Sequence, residues 1–146
     1  MRIKKFRKLL REKGLFPCLV TDLNDIKYLT GYSGTNAALL IDAKKSFFIS
    51  DSRYEEYICS ILPPGFRFFL QKGGLADAVK DVFILTDNKA LHVQAGLVTY
   101  VFFSELKKKL KGVKLIPLAD DPVAELRLIK DDREIVIFRQ AAGITD

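Results

Sequence analysis

The chain has 146 residues, of which 49% are hydrophobic and 29% are charged, a composition typical of one globular domain that excludes a disordered or fibrous chain. Its net charge of +6 is uneven, because residues 120–146 contain seven acidic and four basic residues and residues 1–119 therefore carry +9. No apolar run reaches signal-peptide length near the basic amino terminus or the ~18 residues of a membrane span, so we expect a cytoplasmic protein with no membrane partner.

The first part of the chain is predicted to form a helix, a strand and a short second helix. Residues 2–13 place their apolar side chains on one stripe, and a glycine follows, which is typical of an amphipathic helix and its end. Residues 18–21 form a short apolar run, which indicates a buried strand. Asp22 or Asn24 can cap a brief helical turn that Gly31 ends.

A strand hairpin and a third helix are predicted next. Residues 36–42 and 46–50 are apolar runs joined by a connection of three residues, which favours two paired strands. Ser52 and Glu55 have the spacing of a capping box, so we expect a helix from about Ser52 to Ile61.

The second half alternates between predicted strands and helices. Strands are predicted over residues 66–70, 90–94 and 113–118. Helices are predicted over residues 75–83 and 97–110, although residues 82–85 fit a strand as well as a helix. An early hairpin followed by alternating elements predicts a mixed sheet with helices on both faces, a three-layer α/β/α domain.

The last residues, 131–146, are predicted to form a helix that leads out of the domain. Asp131 and Glu134 have capping-box spacing, and acidic side chains favour the positive end of a helix dipole. Ile135 and Phe138 lie on one stripe while other apolar residues lie off it. We therefore expect this helix to pack against more than one neighbouring element. We therefore assign the domain to residues 1–130.

A basic surface is predicted on the fifth helix, where a lysine run covers residues 107–111. Basic surfaces attract nucleic acids, but no aromatic side chains alternate with these lysines to stack on bases. We interpret the run as a solvated helix face and expect no nucleic-acid partner.

The residue types offer little catalytic chemistry. His92 is the single histidine, and it lies in a predicted strand without metal-ligand spacing around it. Cys18 and Cys59 lie in apolar segments, and we expect both to be reduced residues of the core. A disulfide between them is an alternative that the sequence does not exclude. A Ser or Cys nucleophile would find no conventional base other than His92. We therefore predict no catalytic residue, no metal ligand and no cofactor in this chain.

Two segments carry the candidate surface residues. Gly31 and Gly34 bracket Tyr32 and permit tight backbone, which can hold an aromatic side chain out at a surface. After the third strand, Asp51 can accept backbone N–H groups, and Arg53 can serve an interface or a ligand carboxylate. An ordinary loop and an ordinary helix start account for the two patterns equally well.

Three segments together resemble one known family: residues 24–34, residues 48–54 and residues 125–146. The resemblance is to the amino-terminal domain of the prolidase, Xaa-Pro aminopeptidase and creatinase family, and it covers essentially the whole chain. It implies a ribonuclease H-like α/β fold followed by a pita-bread catalytic domain in which Asp, His and Glu side chains hold two divalent metal ions. None of those ligands falls in this chain, so we expect it to be inactive alone, with residues 131–146 as the first helix leading to the catalytic domain.

The resemblance also implies a supporting role. Similar proteins dimerise partly through this domain, and the equivalent loop approaches the partner's active-site mouth. We therefore expect a homodimer and a proline-containing peptide substrate in the full-length enzyme. The residues expected at a substrate-entry rim or interface are Tyr32, Ser33, Thr35, Arg53 and Tyr54. Two alternatives stay open: the amino-terminal domain of a creatinase-like amidinohydrolase, and a non-catalytic protein-binding module.

Overall fold

The structure, a computed structural model, describes residues 2–145. Its helices are α1 (Arg2–Glu12), α2 (Leu23–Thr30), α3 (Glu55–Ile61), α4 (Leu75–Ile84), α5 (Tyr100–Lys109), α6 (Pro122–Leu128) and α7 (Asp132–Thr145). Its strands are β1 (Cys18–Val20), β2 (Ala38–Ile41), β3 (Ser46–Ser50), β4 (Phe66–Leu70), β5 (Ala90–Gln94) and β6 (Lys114–Leu118). The strands form one six-stranded sheet in the order β4-β3-β2-β1-β5-β6.

The sheet is mixed, as predicted. Strand β2 pairs antiparallel with both β1 and β3, which makes the predicted hairpin. The pairs β3–β4, β1–β5 and β5–β6 are parallel. Helix α3 crosses over between β3 and β4, and α5 crosses over between β5 and β6. The carboxyl ends of β1, β5 and β6 therefore lie at the same end of the sheet.

Hydrophobic clusters cover both faces of the sheet. Successive side chains of a strand point to opposite faces, so Leu39 and Ile41 of β2 pack with α1, α2, α3 and α6, whereas Ala38 and Leu40 pack with α4 and α5. The central strands are buried on both faces. The predicted three-layer α/β/α architecture is confirmed.

Two helices differ from their predictions. Helix α4 continues through residues 82–84, because Val82 and Phe83 extend its buried stripe, so the strand alternative is wrong. Helix α6 was not predicted, since its seven residues are too few to show a clear periodicity. Asp121 caps it by accepting the N–H of Val123, and Pro122 occupies its first turn, a start signal that was present in the sequence.

The predicted capping boxes have opposite outcomes. At α7 the box forms, because Asp131 N donates to Glu134 and Glu134 N donates to Asp131, both at 2.9 Å. After β3 the cap is Asp51 and not Ser52, because the longer carboxylate of Asp51 reaches the N–H of Arg53 at 3.0 Å. A short 3-10 turn over Ser52–Tyr54 therefore precedes α3.

The cysteines and the histidine are placed by their strands and helices. Cys18 is buried in β1, as predicted, and burial raises the pKa of its thiol to about 12. Cys59 is exposed, so its predicted core position is wrong: α3 turns its neighbour Ile58 inward instead. Both thiols are free. His92 is a packed strand residue whose Nδ1 lies 3.2 Å from the Pro17 carbonyl.

Tyr32 is 1% exposed, so the expectation of an aromatic side chain held out at the surface is wrong. Gly31 ends α2 in the left-handed conformation (φ 84°) and turns the chain back over the sheet. Tyr32 then points inward against Phe48 of β3. We name residues 31–36 the glycine loop. It wraps around the Tyr32 ring, and Gly34 passes directly over the phenol.

Gly34→Ala should destabilise the domain by about 1–3 kcal/mol, the usual cost of overpacking. A Cβ atom at position 34 would lie less than 3.0 Å from three atoms of the Tyr32 phenol, and this buried ring has no room to move. Urea unfolding gives the change in the free energy of unfolding.

The control for this test is Gly96→Ala, because a Cβ atom there meets no atom within 4 Å. It should change the free energy of unfolding by less than about 1 kcal/mol. Equal effects of the two substitutions would contradict the packing of Gly34 against Tyr32.

Candidate functional site

Two tyrosines at the start of α3 hold the glycine loop. The Tyr54 hydroxyl is hydrogen-bonded to Thr35 Oγ1 at 2.9 Å and accepts the Thr35 N–H at 3.3 Å. The Tyr57 hydroxyl lies 3.3 Å from Ser33 Oγ and donates to the Gly31 carbonyl at 3.4 Å. The loop is therefore attached to the two tyrosines at its three exposed residues, Gly31, Ser33 and Thr35.

Tyr32 supports the loop from below. Its ring makes edge contacts with Phe48 and Tyr54, at 5.3 and 5.6 Å between ring centres, and stacks on Tyr57 at 5.7 Å. Its hydroxyl donates to the Asn36 carbonyl at 2.9 Å. Burial raises the pKa of Tyr32, which favours the protonated phenol that this hydrogen bond requires.

Asp51 organises the corner between β3 and α3. Its carboxylate accepts hydrogen bonds from Arg53 Nε and Nη2, at 3.0 and 2.9 Å, and from Asn36 Nδ2 at 2.7 Å. These bonds, with those from Arg53 the strongest, hold the pKa of Asp51 well below its usual range. The structural role predicted for Asp51, accepting a backbone N–H, is confirmed.

Arg53 is fixed on one side and open on the other. Its side chain remains 69% exposed although Asp51 binds two of its nitrogen atoms. The guanidinium carbon lies 5.4 Å from the centre of the Tyr54 ring. The other N–H groups of Arg53 are not bound to Asp51 and remain open to solvent. The Asp51 carboxylate therefore orients the guanidinium in the absence of a ligand.

The five predicted site residues form one continuous region. Its outer layer consists of Ser33, Thr35 and Arg53, with Tyr54 half-buried between them and Tyr32 beneath. We name this outer layer, with Tyr54, the rim surface. Sequence reasoning missed Tyr57, although its place three positions after Tyr54 predicts that the two share a helix face.

A second polar region holds the end of the domain to its beginning. The Tyr28 hydroxyl donates to the Leu126 carbonyl at 3.2 Å, and Lys13 forms an ion pair with Glu125. Arg2 Nη2 lies 3.2 Å from Asp131 and 3.0 Å from Glu134. The connection between α6 and α7 is thereby attached to α1 and α2, and we name it the exit joint.

A buried carboxamide extends the exit joint into the sheet. Gln94, at the end of β5, donates from Nε2 to Asp25 at 2.8 Å and to Asp121 at 2.7 Å. Asp25 is 1% exposed and also accepts from Arg127 at 3.3 Å. Burial is the main cause that raises the pKa of Asp25. The Gln94 side chain therefore connects the starts of α2 and α6 to the sheet.

Helix α7 extends from the exit joint with a largely uncovered surface. Its exposed apolar side chains are Ile135, Val136, Ile137, Phe138 and Ile144. Such an area on one helix is typical of a surface that another part of a protein covers. Within residues 2–145, no helix has the length and apolar character that a membrane crossing needs.

Asp51→Asn should lower the free energy of unfolding at neutral pH, and the difference from the wild type should become smaller as the pH falls below 3.8. Because the folded pKa is lower than the unfolded value of 3.8, the stabilisation is complete above that pH and is lost as the pH falls towards the folded pKa. Asparagine preserves a side-chain cap, so the comparison isolates the charge. Urea unfolding at about pH 7 and about pH 3 measures the difference.

Asp120→Asn is the control for this titration, because Asp120 is exposed and makes no ion pair or hydrogen bond with the residues that the structure describes. It should leave the stability curve close to that of the wild type. A deficit in Asp51→Asn that is constant with pH would contradict the ionic role.

Comparison with known proteins agrees with this architecture. Residues 2–129 match the family model of the creatinase/prolidase N-terminal domain. The uncharacterized peptidase YqhT of Bacillus subtilis (strain 168) is 30% identical over 146 residues, which is the whole of this chain but 41% of that protein.

Solved structures give the same relationship. An Xaa-Pro dipeptidase from Bacillus anthracis superimposes with a TM-score of 0.86 and 29% identity, over 98% of this chain and 39% of that one. An Xaa-Pro aminopeptidase (aminopeptidase P) from Streptococcus thermophilus has a TM-score of 0.74 and 31% identity, over 86% of this chain and 95% of that one. The match covers nearly all of the described fold, so this chain belongs to the creatinase/prolidase N-terminal domain family.

Proposed function

We propose that this chain is the non-catalytic amino-terminal domain of a proline-specific metallopeptidase, and that it contributes to dimerisation and to the substrate-entry rim of the complete enzyme. Two similar structures, an Xaa-Pro dipeptidase and an Xaa-Pro aminopeptidase, support the substrate class. The chain spans 39% of the dipeptidase, and we assign the catalytic domain to the part that this chain does not cover.

We propose that the two divalent metal ions of such an enzyme bind outside residues 2–145. Among residues 2–145, no three His, Cys, Asp or Glu side chains are grouped to hold a metal ion. Asp25 and Asp121 approach each other, but the N–H donors of Gln94 lie between them, and donors of this kind repel a cation. The proposal therefore assigns the metal ligands, and the hydrolytic chemistry, to the remainder of the enzyme.

The observation that carries the rim proposal is the fixed orientation of Arg53. An arginine held by one carboxylate, with donors still open to solvent, suits the carboxylate of a short peptide. The hydroxyls of Ser33 and Thr35 lie on the same exposed surface and can bind peptide groups. This chemistry binds and orients a substrate, and it supplies neither a nucleophile nor a base.

The exposed apolar surface of α7 supports the domain order. The family match ends at residue 129, and α7 follows it directly. We propose that the catalytic domain covers Val136, Ile137 and Phe138, which would remove the exposed apolar area. The ion pairs of Arg2 with Asp131 and Glu134 attach the start of α7 to α1, which supports a fixed direction for this helix.

Arg53→Ala in the complete peptidase should lower kcat/KM for an Xaa-Pro dipeptide about tenfold, because a charge-assisted hydrogen bond to substrate is lost. Thr35→Val should have a smaller effect in the same direction. Steady-state hydrolysis measures both, and the metal content should not change, since Arg53 and Thr35 are not among the residue types that bind such metal ions.

The control for these variants is Arg67→Ala, which removes another exposed arginine, on β4. It should leave kcat/KM near the wild-type value. If Arg53→Ala and Thr35→Val behave like Arg67→Ala with every proline-containing peptide, the rim role is wrong.

Mixed dimers test dimerisation and rim function together. One subunit carries Arg53→Ala with an intact metal site, and the other carries wild-type Arg53 with a metal ligand replaced. If the rim surface acts on the partner's active site, each intact metal site in the mixed dimer should work faster than in the Arg53→Ala parent, which keeps about a tenth of the wild-type kcat/KM. Light scattering should give twice the chain mass, and a monomer mass would contradict the dimer.

A further inference from the structure

We propose that Tyr57 is a positioning residue that sets the conformation of the glycine loop, and through it the placement of the Ser33 and Thr35 hydroxyls. This inference rests on the proposed rim function and adds to it a residue outside the rim surface. Tyr57 lies on α3, three positions after Tyr54, and faces the loop from the solvent side.

The loop depends on side chains for its shape. Among the described residues, no backbone–backbone hydrogen bond involves residues 33–35. The chain is held by backbone before them, where Gly31 N donates to Lys27 O at 2.8 Å. After them, the Asn36 carbonyl accepts from Ser50 Oγ at 2.6 Å. The exposed middle of the loop is therefore held by the hydroxyls of two tyrosines.

Tyr57 makes contacts on both sides of Tyr32. Its hydroxyl lies 3.4 Å from the Gly31 carbonyl, before Tyr32, and 3.3 Å from Ser33 Oγ, after it. Its ring stacks on the Tyr32 ring with an angle of 26° between the planes. Tyr54 instead meets Tyr32 edge-on and holds Thr35. The two tyrosines therefore hold different parts of the loop: Tyr54 contacts Thr35, and Tyr57 contacts the end nearer to α2.

The exposed fractions of the Tyr57 and Tyr32 side chains also support a positioning role for Tyr57. Tyr57 is 38% exposed, whereas Tyr32 beneath it is 1% exposed, so the Tyr57 ring separates the buried phenol from solvent. Removing that ring opens one face of Tyr32 and releases Ser33 at the same time. We expect the loop to take several conformations when Tyr57 is absent, with its hydroxyls no longer in one place.

The test uses the complete peptidase with Tyr57→Ala, Tyr57→Phe and Tyr100→Ala. Tyr100 is a matched control, because it is 84% exposed on α5 and makes no hydrogen bond or ring contact with the described residues. Two measurements are made on each variant: amide hydrogen exchange of the peptide that contains residues 31–36, and kcat and KM for an Xaa-Pro dipeptide and a longer Xaa-Pro peptide.

Tyr57→Ala should speed exchange in the glycine loop about tenfold, because the loop opens more often. It should raise KM for the longer peptide severalfold while kcat stays near the wild-type value, since no reacting group is touched. Tyr57→Phe keeps the stacked ring but loses both hydroxyl contacts, so it should recover only part of each loss. If Tyr57 only stabilised the fold, Tyr57→Ala would reduce the amount of folded enzyme. The apparent kcat would then fall for both substrates, and KM for the longer peptide would not rise selectively.

Two results would overturn the inference. The first is loop exchange in Tyr57→Ala equal to that in Tyr100→Ala. The second is faster exchange with unchanged KM, while Arg53→Ala and Thr35→Val do weaken the substrate interaction, because the rim would then work without the loop geometry. If none of these variants alters kcat or KM, the rim function itself fails, and the positioning role fails with it.

Discussion

The buried Tyr32 ring must be shielded from solvent, and the segment that shields it also forms the rim surface. A buried phenol needs both apolar neighbours for its ring and a hydrogen-bond acceptor for its hydroxyl. Phe48 and two tyrosines supply the first, and the Asn36 carbonyl supplies the second. Because Gly34 leaves space for the phenol, a short loop can close over it. The rim hydroxyls are thus placed by a core residue that never reaches the surface.

Electrostatic contacts act on the domain in two different ways. At the rim, the Asp51 carboxylate is ionised and accepts hydrogen bonds from Arg53, which lowers its pKa. At the exit joint, burial raises the pKa of Asp25, and Gln94 and Arg127 donate hydrogen bonds to its carboxylate. The first arrangement orients a group towards solvent, and the second connects three elements inside the protein. Both use a carboxylate to fix geometry.

The sheet could be predicted from the sequence because its strands are short apolar runs between turn residues, as in residues 38–41 and 46–50. The direction of Tyr32 could not, since glycines on both sides permit an inward or an outward side chain. The partners of Asp25 were equally inaccessible, because Gln94 and Arg127 are distant in sequence and meet only when α6 packs. The candidate residues were found as a set through their motifs, but their layering depends on tertiary contacts that periodicity does not encode.

The ion pairs of Arg2 have a consequence for where this domain ends. The family match stops at residue 129, yet Arg2 near the amino terminus reaches Asp131 and Glu134. The boundary drawn by sequence similarity therefore passes through a set of contacts that the folded domain uses itself. A piece of chain cut at that boundary would leave the Arg2 guanidinium above Tyr28 without its acidic partners. The physical unit includes the first turn of α7, so any division of this chain should fall beyond that turn.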